Sequence, residues 1–159
     1  SNGGALCSYL DLDRKKSDYN ALRKIGREFA KDGHIVVITP RLHQSSLEYK
    51  IVYGSLIETR YYPKCPDLKV DGRFYEYEGY EKPWKKHKVG RMLSHGFKQS
   101  SNVIINNTKG CSDRYIRKLV VDRQHDIHAP RMDEVWLYEK GKVRLFYKNG
   151  VFYKKQRRE

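Results

Sequence analysis

The chain has no apolar run approaching the roughly 18 residues of a membrane-spanning helix, and no secretory leader core. Its cysteines are few: Cys7, Cys65 and Cys111 are widely spaced, odd in number and never arranged as CxxC. Neither a disulfide framework nor a zinc knuckle is expected, and a reducing compartment fits. GxSxG, P-loop and GxGxxG patterns are missing, which disfavours a serine hydrolase, a kinase and a dinucleotide enzyme. His125 and His128 flank Asp126 with no fourth ligand, so zinc is not expected there. Acidic residues are scarce, 19 against 33 Lys and Arg, for a net charge of +14. So large a charge repels itself and points to a polyanionic partner, a nucleic acid or an acidic protein that mimics one. A generally cationic protein of the ribosomal kind is the bland alternative. No long helix pairs a Lys/Arg face with an aromatic apolar face, which argues against a membrane surface.

What is present fits one domain with a real core, since 159 residues suffice to bury one. Thirteen of the twenty aromatics are Tyr, suited both to core edges and to base stacking. Residues 1–15 lack periodicity and read as a flexible lead-in, with Ser1-Asn2-Gly3 resembling a cloning scar. Residues 16–154 read as the domain, and 155–159 as a solvated basic tail. Ser17 or Asp18 can cap a helix whose Tyr19, Leu22, Ile25, Gly26 and Phe29 share a face, ended by Asp32-Gly33. His34 to Thr39 is a β-branched run, predicted to be a buried strand. Residues 41–64 are ambiguous. Ser46 could open a short helix, but the Tyr and Val content speaks against it. Asp71-Gly72 predicts a two-residue hairpin turn between Leu68–Val70 and Phe74–Glu78. Lys85 to Ser101 is predicted to be a helix with Val89, Met92, Leu93, Gly96 and Phe97 inward, followed by a buried strand over 102–106. Ser112-Asp113 caps a third helix, and 135–147 forms a second hairpin that gains a strand at Val151–Tyr153. The predicted class is α/β or α+β, a single mixed β-sheet flanked by helices.

Chemistry concentrates between Cys65 and Asn106. Alternation puts Phe74, Glu76 and Glu78 on one strand face, with Asp67 at the mouth of the neighbouring strand. Converging carboxylates can hold Mg²⁺ or Mn²⁺, or take a proton from an attacking hydroxyl. They can equally be surface ion pairs of little energetic weight. On the following helix Arg91, His95 and Gln99 are four apart and line one edge, with Lys98 beside them. Cations there suit a scissile phosphate, and the intrinsic pKa of His95 suits proton transfer, although a plain surface histidine has the same signature. Gln99 is either a bridge to the hairpin backbone or a substrate contact. Lys85, Lys86, His87 and Lys88, preceded by Tyr80 and Trp84, suit phosphates and base stacking. As cations in a helix's first turn they would also oppose its dipole, a cost a bound phosphate would offset. Arg114, Arg117, Lys118 and Arg123 extend the basic surface.

The run CPDLKVDGRFYEYEGY…HGFKQSSNVIIN resembles the C-terminal nuclease domains of bacterial polymorphic toxins. It looks most like the tRNase domain ending contact-dependent growth-inhibition proteins (CdiA type), and related domains attached to phage head proteins. The matching features are Pro66-Asp67 before the hairpin, Glu76 or Glu78 in its second strand, and Lys98-Gln99-Ser100-Ser101 before an apolar strand. The likeness spans about residues 17 to 107. It implies a ribonuclease acting on tRNA without a cofactor, catalysed by Asp67, Glu76, Glu78, Lys98 and Gln99, to which the reading of the helix edge adds His95. Lys85, Lys86, Lys88, Arg91, Arg114 and Arg117 would hold the nucleic acid. It further implies an acidic immunity protein as partner and action in the cytoplasm of a bacterial cell. The same layout resembles the PD-(D/E)xK nuclease core, in which Asp67 and Glu76 would hold Mg²⁺ or Mn²⁺ for DNA cleavage. Glu78 stands where that motif wants lysine, with Lys98 as the substitute, and this departure favours RNase over DNase. A non-catalytic nucleic-acid-binding or phage-associated domain is the remaining alternative.

Overall fold

The computed structural model describes residues 3–8, 18–80 and 82–156. The fold is of the expected mixed α+β class. The chain divides into two compact units, Ser1–Glu76 and Tyr77–Glu159, with the boundary inside a strand. No helix among the described residues is long and apolar enough to cross a membrane.

The first unit contains β1 (Ala5–Ser8), α1 (Tyr19–Lys31), β2 (Ile35–Ile38), α2 (Leu47–Tyr53), a 3-10 turn at Gly54–Leu56, β3 (Leu68–Val70) and most of β4 (Arg73–Glu78). β1 runs parallel to β2, and β2, β3 and β4 are antiparallel in turn. Leu22, Ile25, Gly26 and Phe29 form the buried face of α1, as their spacing predicted. β1 falls within the span read from the sequence as a flexible lead-in. Its backbone occupies the hydrogen-bonding edge that β2 would otherwise leave open, beginning with Ala5 N–H to the His34 carbonyl at 3.1 Å. Residues 1–2 and 9–15 of the expected lead-in, Ser17 and the last three residues of the tail lie outside the described residues. β2 is less enclosed than predicted: Val36 and Ile38 are buried, whereas Ile35 is 57% exposed.

The ambiguous segment is helical after all. The Ser46 hydroxyl accepts from the Tyr49 N–H at 3.1 Å, capping α2. Tyr49, Val52 and Tyr53 spoke against a helix, yet they are its buried face. Their rings pack at 5.0 Å between Tyr49 and Tyr53, and 5.4 Å between Tyr53 and Phe74. Each phenol finds a backbone acceptor, Tyr49 on Lys64 at 2.9 Å and Tyr53 on Pro40 at 2.5 Å. Burial pushes the Tyr49 phenol up to about 12 and raises that of Tyr53 as well. The β3–β4 turn is the predicted Asp-Gly pair, with φ of 49° at Asp71 and 83° at Gly72.

The second unit contains the end of β4, α3 (Lys88–Gln99), β5 (Asn102–Asn106), α4 (Asp113–Gln124), β6 (Glu134–Glu139), β7 (Lys142–Lys148) and β8 (Val151–Phe152). β5 and β6 are parallel, Asn102 opposite Glu134, and β6, β7 and β8 are antiparallel in turn, with a bulge at Val135/Trp136. The core joins Val89, Leu93 and Phe97 of α3 to Val103 and Ile105 of β5, with Ile116 and Val120 of α4. Each such side chain contributes about 1.5–3 kcal/mol on burial. Ser112 caps α4 through the Tyr115 N–H at 3.2 Å. α3 begins three residues later than predicted. Lys85, Lys86 and His87 form a turn before it, with Lys88 N–H on the Lys85 carbonyl at 2.9 Å. Of these four only Lys88 lies within α3, with His87 at its N-cap, so the opposition to the helix dipole is smaller than four cations inside the first turn would give. The Lys88 ammonium folds back to the Pro83 carbonyl at 2.8 Å.

Candidate active site

Glu78 is the last residue of β4, and His95 lies in the third turn of α3. The Glu78 carboxylate meets the His95 ring at Nδ1, 2.6 Å away. Gly96 makes the approach possible. A Cβ there would lie 2.8 Å from Val103 Cγ1 and 3.1 Å from Glu78 Cγ. A side chain would therefore push α3 away from both β5 and Glu78. The two partners differ in exposure: the Glu78 side chain is 12% exposed and that of His95 65%. An ionised carboxylate only accepts hydrogen bonds, so Nδ1 carries the proton and donates. Nε2 then keeps its lone pair, on a ring with no other hydrogen bond among the described residues. A carboxylate that orients an imidazole with its far nitrogen open to solvent is an arrangement able to accept a proton.

The pair opens into a groove of about 700 Å³ between α3 and α4. Lys88, Arg91 and Lys98 line it from α3, and Asp122 and Arg123 from α4. Arg123 is half-buried; its Nη1 donates to Ser94 Oγ at 2.6 Å and its guanidinium lies 5.8 Å from the Phe97 ring. Burial lowers its pKa, partly offset by Asp126.

Five of the predicted catalytic and cation residues thus meet in one place: Glu78, His95, Lys98, Lys88 and Arg91. Gln99 is half-buried at the end of α3 and does not line the groove. Asp67 and Glu76 belong to the first unit. Asp67 is half-buried, and its carbonyl accepts from the Thr39 N–H at 3.1 Å. Glu76 is buried, two residues before Glu78 and on the same face of β4. Carboxylates and an imidazole are donors that Mn²⁺ accepts, and Mg²⁺ favours the carboxylates alone. Of the predicted nucleic-acid cations, Lys88 and Arg91 line the groove. Lys86 stacks on Tyr115 with Nζ 4.2 Å from the ring centroid, and Arg117 covers Phe152 at 4.7 Å. Lys85 and Arg114 are exposed outside the groove. Arg123 counted in the sequence only as one more cation of α4. Its partner Ser94 is 29 residues away, so no local pattern distinguishes it.

No family model and no curated protein sequence matches the chain. Among solved structures, it is similar to a chain of the CdiA-CT/CdiI toxin and immunity complex from Burkholderia pseudomallei. The superposition has a TM-score of 0.53 and covers 91% of this chain and 99% of that one, at 19% identity. At that identity the likeness is one of fold.

Proposed function

We propose that this chain is a toxin-type ribonuclease domain that cuts RNA, with tRNA as its substrate, in the cytoplasm of a bacterial cell. The observation that carries the proposal is the Glu78–His95 pair, 2.6 Å apart and open on the imidazole side to a groove lined by cations. The net charge of +14 and the fold likeness to a chain of a toxin–immunity complex support it.

In the mechanism, Glu78 holds the His95 ring and stabilises the imidazolium that forms. His95 Nε2 takes the proton of a ribose 2′-OH, and the oxygen attacks the adjacent phosphorus. The bond from phosphorus to the 5′-oxygen breaks, leaving a 2′,3′-cyclic phosphate. The departing oxygen takes a proton from the Lys98 ammonium, and Arg91 offsets charge on the phosphoryl oxygens. This route uses the ribose hydroxyl and needs no metal. An acidic immunity protein would bind by covering the same cations.

The rival is a metal-dependent DNase, favoured by the shared strand face of Glu76 and Glu78. Incubating the domain with total RNA and with plasmid DNA, each in EDTA and in Mg²⁺, separates the two. RNA cleavage that survives EDTA is the expected outcome. Metal-requiring DNA cleavage would replace the ribonuclease with the rival, and salt-sensitive binding without any cleavage would sink both.

A further inference from the structure

Arg123 stands apart from the other guanidiniums whose partners are known. Arg144 is held by two acids, Glu139 at 2.5 Å and Asp113 at 2.5 Å, and Arg131 by Asp133 at 2.6 Å. Arg123 makes a single hydrogen bond, to a neutral serine, and no ion pair among the described residues. Its Nε is buried with no partner. Taking a cation out of water without an anion is costly, and removing donors without acceptors adds to the cost. The compensation available within the protein is weak: the Phe97 ring at 5.8 Å and the charge of Asp126. Yet the residue lines the groove of about 700 Å³ beside His95, in which Lys88, Arg91 and Lys98 outnumber Glu78 and Asp122 even before Arg123 is counted. A half-desolvated guanidinium steadied by Ser94 on one arm is preorganised for a ligand with two acceptor oxygens.

We propose that Arg123 and Ser94 form a phosphate-binding subsite, in which Arg123 grips a backbone phosphodiester of the nucleic acid next to the one facing His95. This rests on the nuclease reading only for what His95 does, because the grip itself involves no reaction. The guanidinium would donate to the two non-bridging oxygens, with Lys98 and Arg91 flanking. Asp122 on the same wall would disfavour anions that do not engage the fork.

The test measures binding without cleavage. A 2′-O-methyl RNA oligonucleotide lacks the attacking hydroxyl, so its dissociation constant can be followed across salt concentrations. Arg123→Met is expected to weaken binding about tenfold and to lower the salt slope by about one phosphate contact. Arg123→Lys should keep the slope and lose about threefold, because the charge remains but the fork does not. A purely structural arginine would change the melting temperature but leave the slope alone. If folded Arg123→Met binds with unchanged affinity and slope, the subsite is wrong. If Arg123→Met fails to fold, Arg123→Lys decides: affinity within twofold of wild type overturns the subsite, and a clear loss at unchanged slope upholds it. Cleavage assays keep the two proposals apart. RNA cutting with no Arg123 effect on binding removes the subsite alone. Absent cutting with the Arg123 effect intact removes the nuclease alone.

Discussion

Two histidine–carboxylate pairs of equal length lie among the described residues, one in each unit. His34 meets Asp71 at 2.6 Å, and His95 meets Glu78 at 2.6 Å. They differ in what surrounds them. Asp71 also accepts from the Ile35 N–H at 2.9 Å, so the first pair clips the β3–β4 turn onto the start of β2. Both of its members are similarly exposed, 36% and 42%. In the second pair the acid is shielded, the imidazole is open, and a cation-lined groove begins beside it. A short His–carboxylate contact therefore says nothing about chemistry by itself. Shielding of the acid, exposure of the imidazole and the cation-lined groove turn the second pair into a candidate for proton transfer, whereas the exposed Asp71 carboxylate, tied also to the Ile35 N–H, leaves the first a fastener.

Five substitutions would break or sharpen that contrast. Glu78→Gln or His95→Gln should lower RNA cleavage by about 10²–10⁴-fold, the range for a lost general base or its orienting partner. Melting temperature should change little, since His95 is exposed. Gly96→Ala should destabilise by about 1–3 kcal/mol in a denaturant titration, because the new methyl meets Val103 Cγ1 at 2.8 Å. Cleavage should fall with it as the helix moves off Glu78. Tyr53→Phe should destabilise by about 1 kcal/mol by removing a buried phenol bond to Pro40, yet leave cleavage per folded molecule unchanged. The smallest effect belongs to the first pair. The Ile35 N–H and then His34 hold the Asp71 carboxyl below its ordinary value of 3.8. A depressed pKa contributes stability that is present above 3.8 and lost as pH falls through the folded value. Asp71→Asn should thus lower the melting temperature slightly at neutral pH, with the difference from wild type shrinking in acid, and cleavage should be unaffected. A cleavage defect in Asp71→Asn comparable to that of Glu78→Gln would erase the distinction between the pairs.

Much of this was legible in the sequence, for physical reasons that differ by element. α1 and α3 announce themselves by an apolar face at helical spacing, and the Asp71-Gly72 turn by residues that tolerate positive φ. β1 was not legible, since Ala5–Ser8 has no periodicity and becomes a strand only because β2 presents an edge. α2 was hidden because its buried face is aromatic: Tyr49 and Tyr53 disfavour a helix on propensity alone, and tertiary burial overrides it. The start of α3 was placed early because Lys85–His87 are good helix company in a chain whose Pro83 had already bent away. At the site, the sequence marked Glu78, His95, Lys98 and Arg91 as candidates, but neither the 2.6 Å contact nor its dependence on Gly96 is written in any local pattern. Arg123 shows the limit most clearly. Its distinction lies in having no ion pair among the described residues, and that is visible only in three dimensions.

The proposed chemistry turns on the Glu78–His95 pair acting without metal. The most direct measurement is the rate of RNA cleavage in EDTA by wild type, Glu78→Gln and Asp71→Asn, at matched folded concentration. The expected result is cleavage by wild type and Asp71→Asn at equal rates, and loss of about a hundredfold or more in Glu78→Gln. Equal rates in wild type and Glu78→Gln, or cleavage that appears only when Mg²⁺ is restored, would contradict it.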